Sequence, residues 1–196
     1  IKKLTTLNLT VAKRYLADPE NNSIYMYKWI DVDAAAALAK QHDLLQFAGL
    51  TSISIELAAA LAKCEGGIAL RGLTTISSEV AEALAKCPGG LWLGLTSISI
   101  EVAAALAKCE GGLSLDDLTS ISVEVAEALA ECEGRLSFRG LTSLSDAAVD
   151  ALAEHGDIEL GTNLPDEAIK KLKSLNLTVA KRYLADPENN YLYMYK

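Results

Sequence analysis

Leu73-Thr74-Thr75-Ile76-Ser77-Ser78-Glu79-Val80-Ala81-Glu82-Ala83-Leu84-Ala85-Lys86-Cys87-Pro88-Gly89-Gly90-Leu91-Trp92-Leu93 is one complete structural unit, and its recurrence decides the fold. The pattern returns as LTSISIELAAALAKCEGG from Leu50, LTSISIEVAAALAKCEGG from Leu95, LTSISVEVAEALAECEGR from Leu118 and LTSLSDAAVDALAEHGD from Leu141. The leading residues Leu50, Leu73, Leu95, Leu118 and Leu141 stand 23, 22, 23 and 23 residues apart. A period of this size marks an array of stacked supersecondary units.

Each unit reads as strand, turn and helix. Before each leucine lies an apolar-x-apolar triplet, as in Leu45-Gln46-Phe47, Ile68-Ala69-Leu70 and Leu91-Trp92-Leu93. Its outer residues face one side and its middle residue the other, as a strand requires. Ser54, Ser77, Ser99, Ser122 and Ser145 stand at the expected helix N-cap, with an acid close behind in most units. Val80, Leu84 and Cys87 fall at i, i+4 and i+7 on one apolar stripe, opposite Glu79, Glu82 and Lys86. Gly66, Gly89 and Gly111 are read as the helix stops.

A single unit cannot bury its own stripe, whereas stacked neighbours share a continuous core. Strands sit about 4.8 Å apart and helix axes about 8–10 Å, so the stack should curve with strands inside and helices outside. The expected fold is an α/β solenoid of about ten coils over residues 1–196, with regular 22–23-residue repeats over 45–158.

The run Ala83-Leu84-Ala85-Lys86-Cys87-Pro88-Gly89-Gly90-Leu91-Trp92-Leu93, followed by Ile98-Ser99, resembles the leucine-rich repeat family. The likeness is to its cysteine-containing subclass, in a short 22–23-residue form of bacterial type. That resemblance implies parallel strands on a concave face and short helices on a convex one. As a family tendency only, it also implies binding or scaffolding. The repeats here are shorter than that subclass's usual length, and Gly or Asp replaces its polar residue after the strand.

A second, longer period is superimposed. Residues 1–28 and 169–196 are near-identical, differing only at Thr5/Lys173, Thr6/Ser174, Ser23/Tyr191 and Ile24/Leu192, and they are offset by 168 residues. Strand midpoints placed at Asn8, Tyr25, Gln46, Ala69, Trp92, Ser114, Ser137, Glu159, Asn176 and Tyr193 put eight coils in that period. The compact 17-residue coils should keep a short helix, 11–16 or 179–184, ended by Asp18-Pro19 or Asp186-Pro187 because proline pushes the preceding residue out of the helical region. The sequence opens midway through a coil and shows no polar capping unit, which suggests an excerpt of a longer concatenated protein. Internal duplication within a small protein and a designed array are the alternatives.

Composition excludes several functions. With 18 basic and 26 acidic residues the formal net charge is −8, which opposes binding to nucleic acid or an anionic membrane surface. No apolar run reaches the roughly 18–20 residues of a membrane span. The chain has no G-x-S-x-G, H-E-x-x-H or phosphate-binding glycine loop, so no enzyme, cofactor or metal site is expected.

Cys64, Cys87, Cys109 and Cys132 recur at spacings of 23, 22 and 23, one column at the helix C-terminal ends. No close C-x2-C pair suggests a metal. A disulfide needs Cα atoms within about 7 Å, closer than adjacent helices usually stand. A ladder of buried thiols is the expected arrangement. His155 replaces cysteine in this column, and His42 lies one position beyond it.

What remains is surface. The strand face carries Gln46, Ala69, Trp92, Ser114, Ser137 and Glu159, flanked by Tyr25, Tyr27, Tyr193 and Tyr195. Trp92 and these tyrosines are the candidate partner contacts, because aromatic anchors dominate interfaces; packing between blocks is the alternative for the tyrosines. Two functions follow as expectations. The first is a structural or scaffold repeat whose partners are further copies of itself, in one chain or end to end. The second is a protein- or glycan-binding module using the strand face. A filament would place the chain outside or on a bacterial cell, a monomer in the cytoplasm.

Overall fold

A computed structural model describes residues 6–19, 24–153, 155, 157–161 and 163–175, with the backbone alone at 169 and 172–175. Strands and helices alternate throughout: β1 Thr6–Leu7, α1 Leu9–Ala17, β2 Trp29–Ile30, α2 Val32–Leu38, β3 Leu45–Gln46, α3 Ile55–Leu61, β4 Ile68–Leu70 and α4 Ser78–Leu84. The second half continues with β5 Leu91–Leu93, α5 Ile100–Leu106, β6 Leu113–Ser114, α6 Val123–Ala130, β7 Leu136–Phe138, α7 Asp146–Ala153, β8 Ile158–Leu160 and α8 Asp166–Leu175. Strands β3 to β8 form one parallel sheet in sequence order, and β1 and β2 form a separate parallel pair. This mixed α/β arrangement fits a repeat solenoid.

The register reproduces the repeat spacing residue by residue. Gln46 pairs with Ala69, Ala69 with Trp92, Trp92 with Ser114, Ser114 with Ser137, and Ser137 with Glu159. A one-residue slip anywhere would turn a strand's core residues outward. Ile68, Leu70, Leu91, Leu93, Leu136 and Phe138 are buried on the helix side of the sheet. They pack with Val80, Leu84 and their equivalents from each helix into one core.

The helix starts form as the serines predict. The Oγ atoms of Ser54, Ser77, Ser99 and Ser122 accept hydrogen bonds from the N–H groups of Leu57, Val80, Val102 and Val125 at 3.2–3.4 Å. Ser145 does the same for Ala148 at 3.2 Å. In α1, Asn8 is the cap, with Oδ1 accepting from Val11 N–H at 3.0 Å, and Asp18 ends the helix.

The helix ends differ from the reading of Gly66, Gly89 and Gly111 as stop residues. Helices α3, α4 and α5 end at Leu61, Leu84 and Leu106, well before those glycines, and their C-caps are right-handed alanines. The stop is a tight turn in which Cys64, Cys87 and Cys109 N–H groups bond to the Leu61, Leu84 and Leu106 carbonyls at 2.9–3.0 Å. The glycines serve the stacking of one turn on the next. A Cβ at Gly89 would stand 2.3 Å from Gly67 N, and one at Gly111 2.2 Å from Gly89 O.

The first units also depart from expectation. Ile24-Tyr25-Met26 is not a strand: Tyr25 and Met26 form a turn, and the strand follows at Trp29–Ile30. Asn8 is likewise a cap rather than a strand midpoint. The physical reason is a shorter connection. Residues 71–77 separate β4 from α4, whereas Asn8 alone separates β1 from α1 and Asp31 alone separates β2 from α2. The Tyr25 carbonyl still ties this region to the next unit, accepting from Ala48 N–H at 2.9 Å.

The two copies of the duplicated segment diverge where they can be compared. Thr6–Leu7 is a strand, whereas the matching Ser174–Leu175 is the last turn of α8. Helix α8 begins with Asp166 and Glu167, acids that favour a helix N-terminus. Lys173 is also a better helix former than the Thr5 it replaces.

Candidate functional site

The sheet face away from the helices carries the row Gln46, Ala69, Trp92, Ser114, Ser137 and Glu159, as the register requires. Ala69 and Ser114 are buried, and the other four are partly covered. Trp92 sits at the centre. A Cβ on Gly90 would lie 2.7 Å from its Cη2, and one on Gly67 2.9 Å from its Cζ3. The indole therefore lies against two consecutive turns, in space that only glycines leave open. Gly67 also has φ of +91°, a conformation that favours glycine. Trp92 is thus a half-buried packing residue as well as a surface aromatic.

Toward the C-terminal end of the sheet the face becomes polar. Asp116 accepts from Ser114 Oγ at 2.9 Å through Oδ2. Its Oδ1 accepts from Ser137 Oγ at 2.6 Å and Arg139 N–H at 3.0 Å. One carboxylate thereby bridges two units. Arg135 Nη2 donates to Glu159 Oε2 at 2.6 Å. Arg139 donates to Glu159 Oε1 through Nε at 2.7 Å and also through Nη2. Asp157 stands 4.0 Å from Arg135 Nε. This cluster was not anticipated from the sequence. Its signal was the column Arg71, Gly94, Asp116 and Arg139, in which one unit alone carries an acid beside a base.

Tyr25 is 42% exposed, Met26 71% and Trp29 57%, so three large apolar side chains of the first units are open to solvent. Tyr27 is partly buried against the core. Met26 and Trp29 are the surface residues that sequence reasoning missed. Tyr193 and Tyr195 lie outside the described residues.

The cysteine column forms a ladder. Cys87 Sγ donates to the Cys64 carbonyl at 3.3 Å and Cys132 Sγ to the Cys109 carbonyl at 3.5 Å. Cys64 Sγ lies 3.4 Å from the Asp43 carbonyl in the preceding turn. All four are free and buried. Burial pushes the Cys87 and Cys109 thiols up to about 11 and raises Cys64 and Cys132 as well. Such thiols are poor nucleophiles. His155 continues the column: its Nδ1 accepts from Asp157 N–H at 3.2 Å, and Nε2 is buried without a hydrogen-bond partner. His42 is exposed and bonds Glu65 at 2.7 Å.

On the helix side an open groove of about 400 Å³ lies between α5 and α6, lined by Ala104, Ala107, Ala128, Lys108 and Glu131 among others. It is the gap left by alanines facing each other. Among the described residues no group of three or more His, Cys, Asp or Glu side chains is arranged to hold a metal. No described helix is long and apolar enough to cross a membrane. Compared with known proteins, no protein-family model matches this chain and no curated protein is significantly similar to it.

Proposed function

We propose that the chain is a non-enzymatic scaffold block of the leucine-rich-repeat kind, built to be continued by further copies in the same polypeptide or end to end. The observation that carries this reading is the constancy of the stacking register. Six strands pair in sequence order at 22–23-residue steps, each on its equivalent. The 28-residue segment at 1–28 recurs at 169–196, so the sequence pattern restarts after 168 residues. A stack of this type buries its apolar faces only against neighbours, so extension is its natural mode of growth. Light scattering combined with electron microscopy tests the reading. Filaments or long oligomers with a regular axial period support it; a strictly monomeric chain with native helix content at all concentrations overturns it.

A second reading, a protein- or glycan-binding module, draws support from Trp92 at the centre of the strand face and the exposed Tyr25 and Trp29. Retained binding to an identified partner by Trp92→Ala and Tyr25→Ala variants would remove it.

A further inference from the structure

The seat formed by β2 and α2 is covered by the first copy of the duplicated segment. Thr6 pairs with Trp29 and Leu7 with Ile30, and Asp31 N–H donates to the Leu7 carbonyl at 3.0 Å. Helix α1 packs along α2, with Ala12 fully buried, and Ile24 of the same segment is 5% exposed.

Every residue in that set has its counterpart 168 positions later. Leu175, Asn176 and Ala180 repeat Leu7, Asn8 and Ala12 unchanged, while Leu192 stands for Ile24. Strand pairing uses backbone groups, so Ser174 in place of Thr6 keeps it. We propose that the β2–α2 seat is also a docking site for a second copy of this chain, whose residues 169–196 replace residues 1–28 of the first. The proposal rests on the scaffold reading and specifies its junction: successive chains overlap by one 28-residue segment and advance by 168 residues.

Sequence matching favours this junction over simple end-to-end contact. The segment that precedes Trp29 in this chain is 1–28, and 169–196 matches it at all but four positions. Two chains abutting without overlap would place 169–196 against 1–28, a neighbour relationship found nowhere within the chain. In the overlapped register each contact repeats one already present. Ser174 and Leu175 form the last turn of α8, so docking in the register of β1 unwinds that turn, the part of a helix that frays most readily.

The covalently attached first copy competes at an effective concentration on the order of millimolar. Exchange is therefore slight at micromolar chain until that copy is weakened. Ala12→Asp weakens it selectively, placing an unpaired carboxylate where Ala12 has no exposed surface and leaving Ala180 intact. At micromolar concentration Ala12→Asp should raise the oligomeric fraction at least tenfold over the parent chain. Ala12→Asp/Ala180→Asp should return to monomer. Mixing Trp29→Cys and Ser174→Cys chains, each with Ala12→Asp, should give an oxidised heterodimer between those positions, with the native thiols silent because they are buried.

Oligomers that persist in the double variant, or that never cross-link at 29 and 174, would overturn the exchange while leaving end-to-end growth standing. Monomers in every variant and at every concentration would overturn both. Should Ala12→Asp fail to fold, a fluorescent synthetic peptide of residues 169–196 added to the parent chain decides the matter. Saturable binding, abolished by the Ala180→Asp change in the peptide, upholds the proposal, and no binding at millimolar peptide sinks it.

Discussion

The Sγ of Cys87 lies 3.3 Å from the carbonyl oxygen of Cys64, one unit earlier, and donates its S–H to it. At Cys64, Cys87 and Cys132 the cysteine column thus provides hydrogen bonds that tie the turn of one unit to the turn before. Small size lets the thiol fill the space beneath the helix end, and its weak donor satisfies a carbonyl there.

The ladder sets an alkaline limit on stability. An unfolded thiol titrates near its ordinary value of about 8.5, while Cys87 and Cys109 in the folded chain titrate at about 11. The folded state thus holds its thiol protons where the unfolded chain has lost them. The contribution is complete below the unfolded value and disappears as pH rises through the folded one. Urea midpoints should fall between about pH 8.5 and 11, and thiol reagents should label the native chain far more slowly than the denatured one. Cys87→Ala should cost about 1–3 kcal/mol and flatten that alkaline slope.

Gly90 and Trp92 are a matched pair. A methyl group on Gly90 meets the indole at 2.7 Å, so Gly90→Ala must lift the ring from its turn. In a Trp29→Phe background, where Trp92 is the remaining tryptophan, Gly90→Ala should shift tryptophan emission to longer wavelength. The destabilisation should shrink by about 1 kcal/mol or more when Trp92 is also changed to Ala, the mark of coupled neighbours. Additive effects would show that the glycine serves the backbone alone.

The caps give an acid-side counterpart. Hydrogen bonds from Ser99 Oγ and from its own backbone N–H hold Glu101 below its ordinary value; Glu79 and Glu124 are lowered in the same way. A depressed carboxylate stabilises above its unfolded pKa, and that stabilisation is lost as pH falls through the folded value. Ser99→Ala should cost about 1 kcal/mol near neutrality through the lost cap. Its deficit relative to the parent should narrow below about pH 4, as Glu101 protonates in both proteins. Thermal midpoints across pH 3–7, on the order of one reading per half unit, would check this.

Much of the architecture was legible because it depends on features that recur. Five copies of the leucine and serine columns and four of the cysteine column determine the pairing of Gln46 with Ala69 and of Ala69 with Trp92 without ambiguity. The first units had no such redundancy. Ile24-Tyr25-Met26 alternates like a strand, yet Ile24 alone is buried there, and the pairing falls to Trp29–Ile30. The glycines misled for a related reason: a glycine after a helix suggests a left-handed cap, whereas Gly89 and Gly111 answer to backbone from the neighbouring unit. The polar cluster was invisible to motif reading, because Asp116 meets Ser137 and Arg139 only once the units are stacked. Placing Asp116 in its column beside Arg139 is the step that would have found it.

That cluster separates two kinds of cross-unit tie. Asp116 is partly buried and takes three hydrogen bonds, one of them from the Arg139 backbone. Asp116→Ala strands all three donors and should cost about 1–3 kcal/mol, with little dependence on salt. Asp116→Asn keeps an oxygen for Ser137 and Arg139 and should cost less. The Arg135–Glu159–Arg139 bridge sits nearer solvent, with 40% of the Arg135 side chain exposed. Glu159→Gln should therefore cost about 1 kcal/mol or less, and that loss should fade at 1 M salt, where the screening length is about 3 Å. Denaturant titrations of the three variants at low and high salt distinguish the contributions. If Asp116→Ala proved as salt-sensitive as Glu159→Gln, the two ties would be one electrostatic network, and the carboxylate at 116 would act through its charge rather than through its hydrogen bonds.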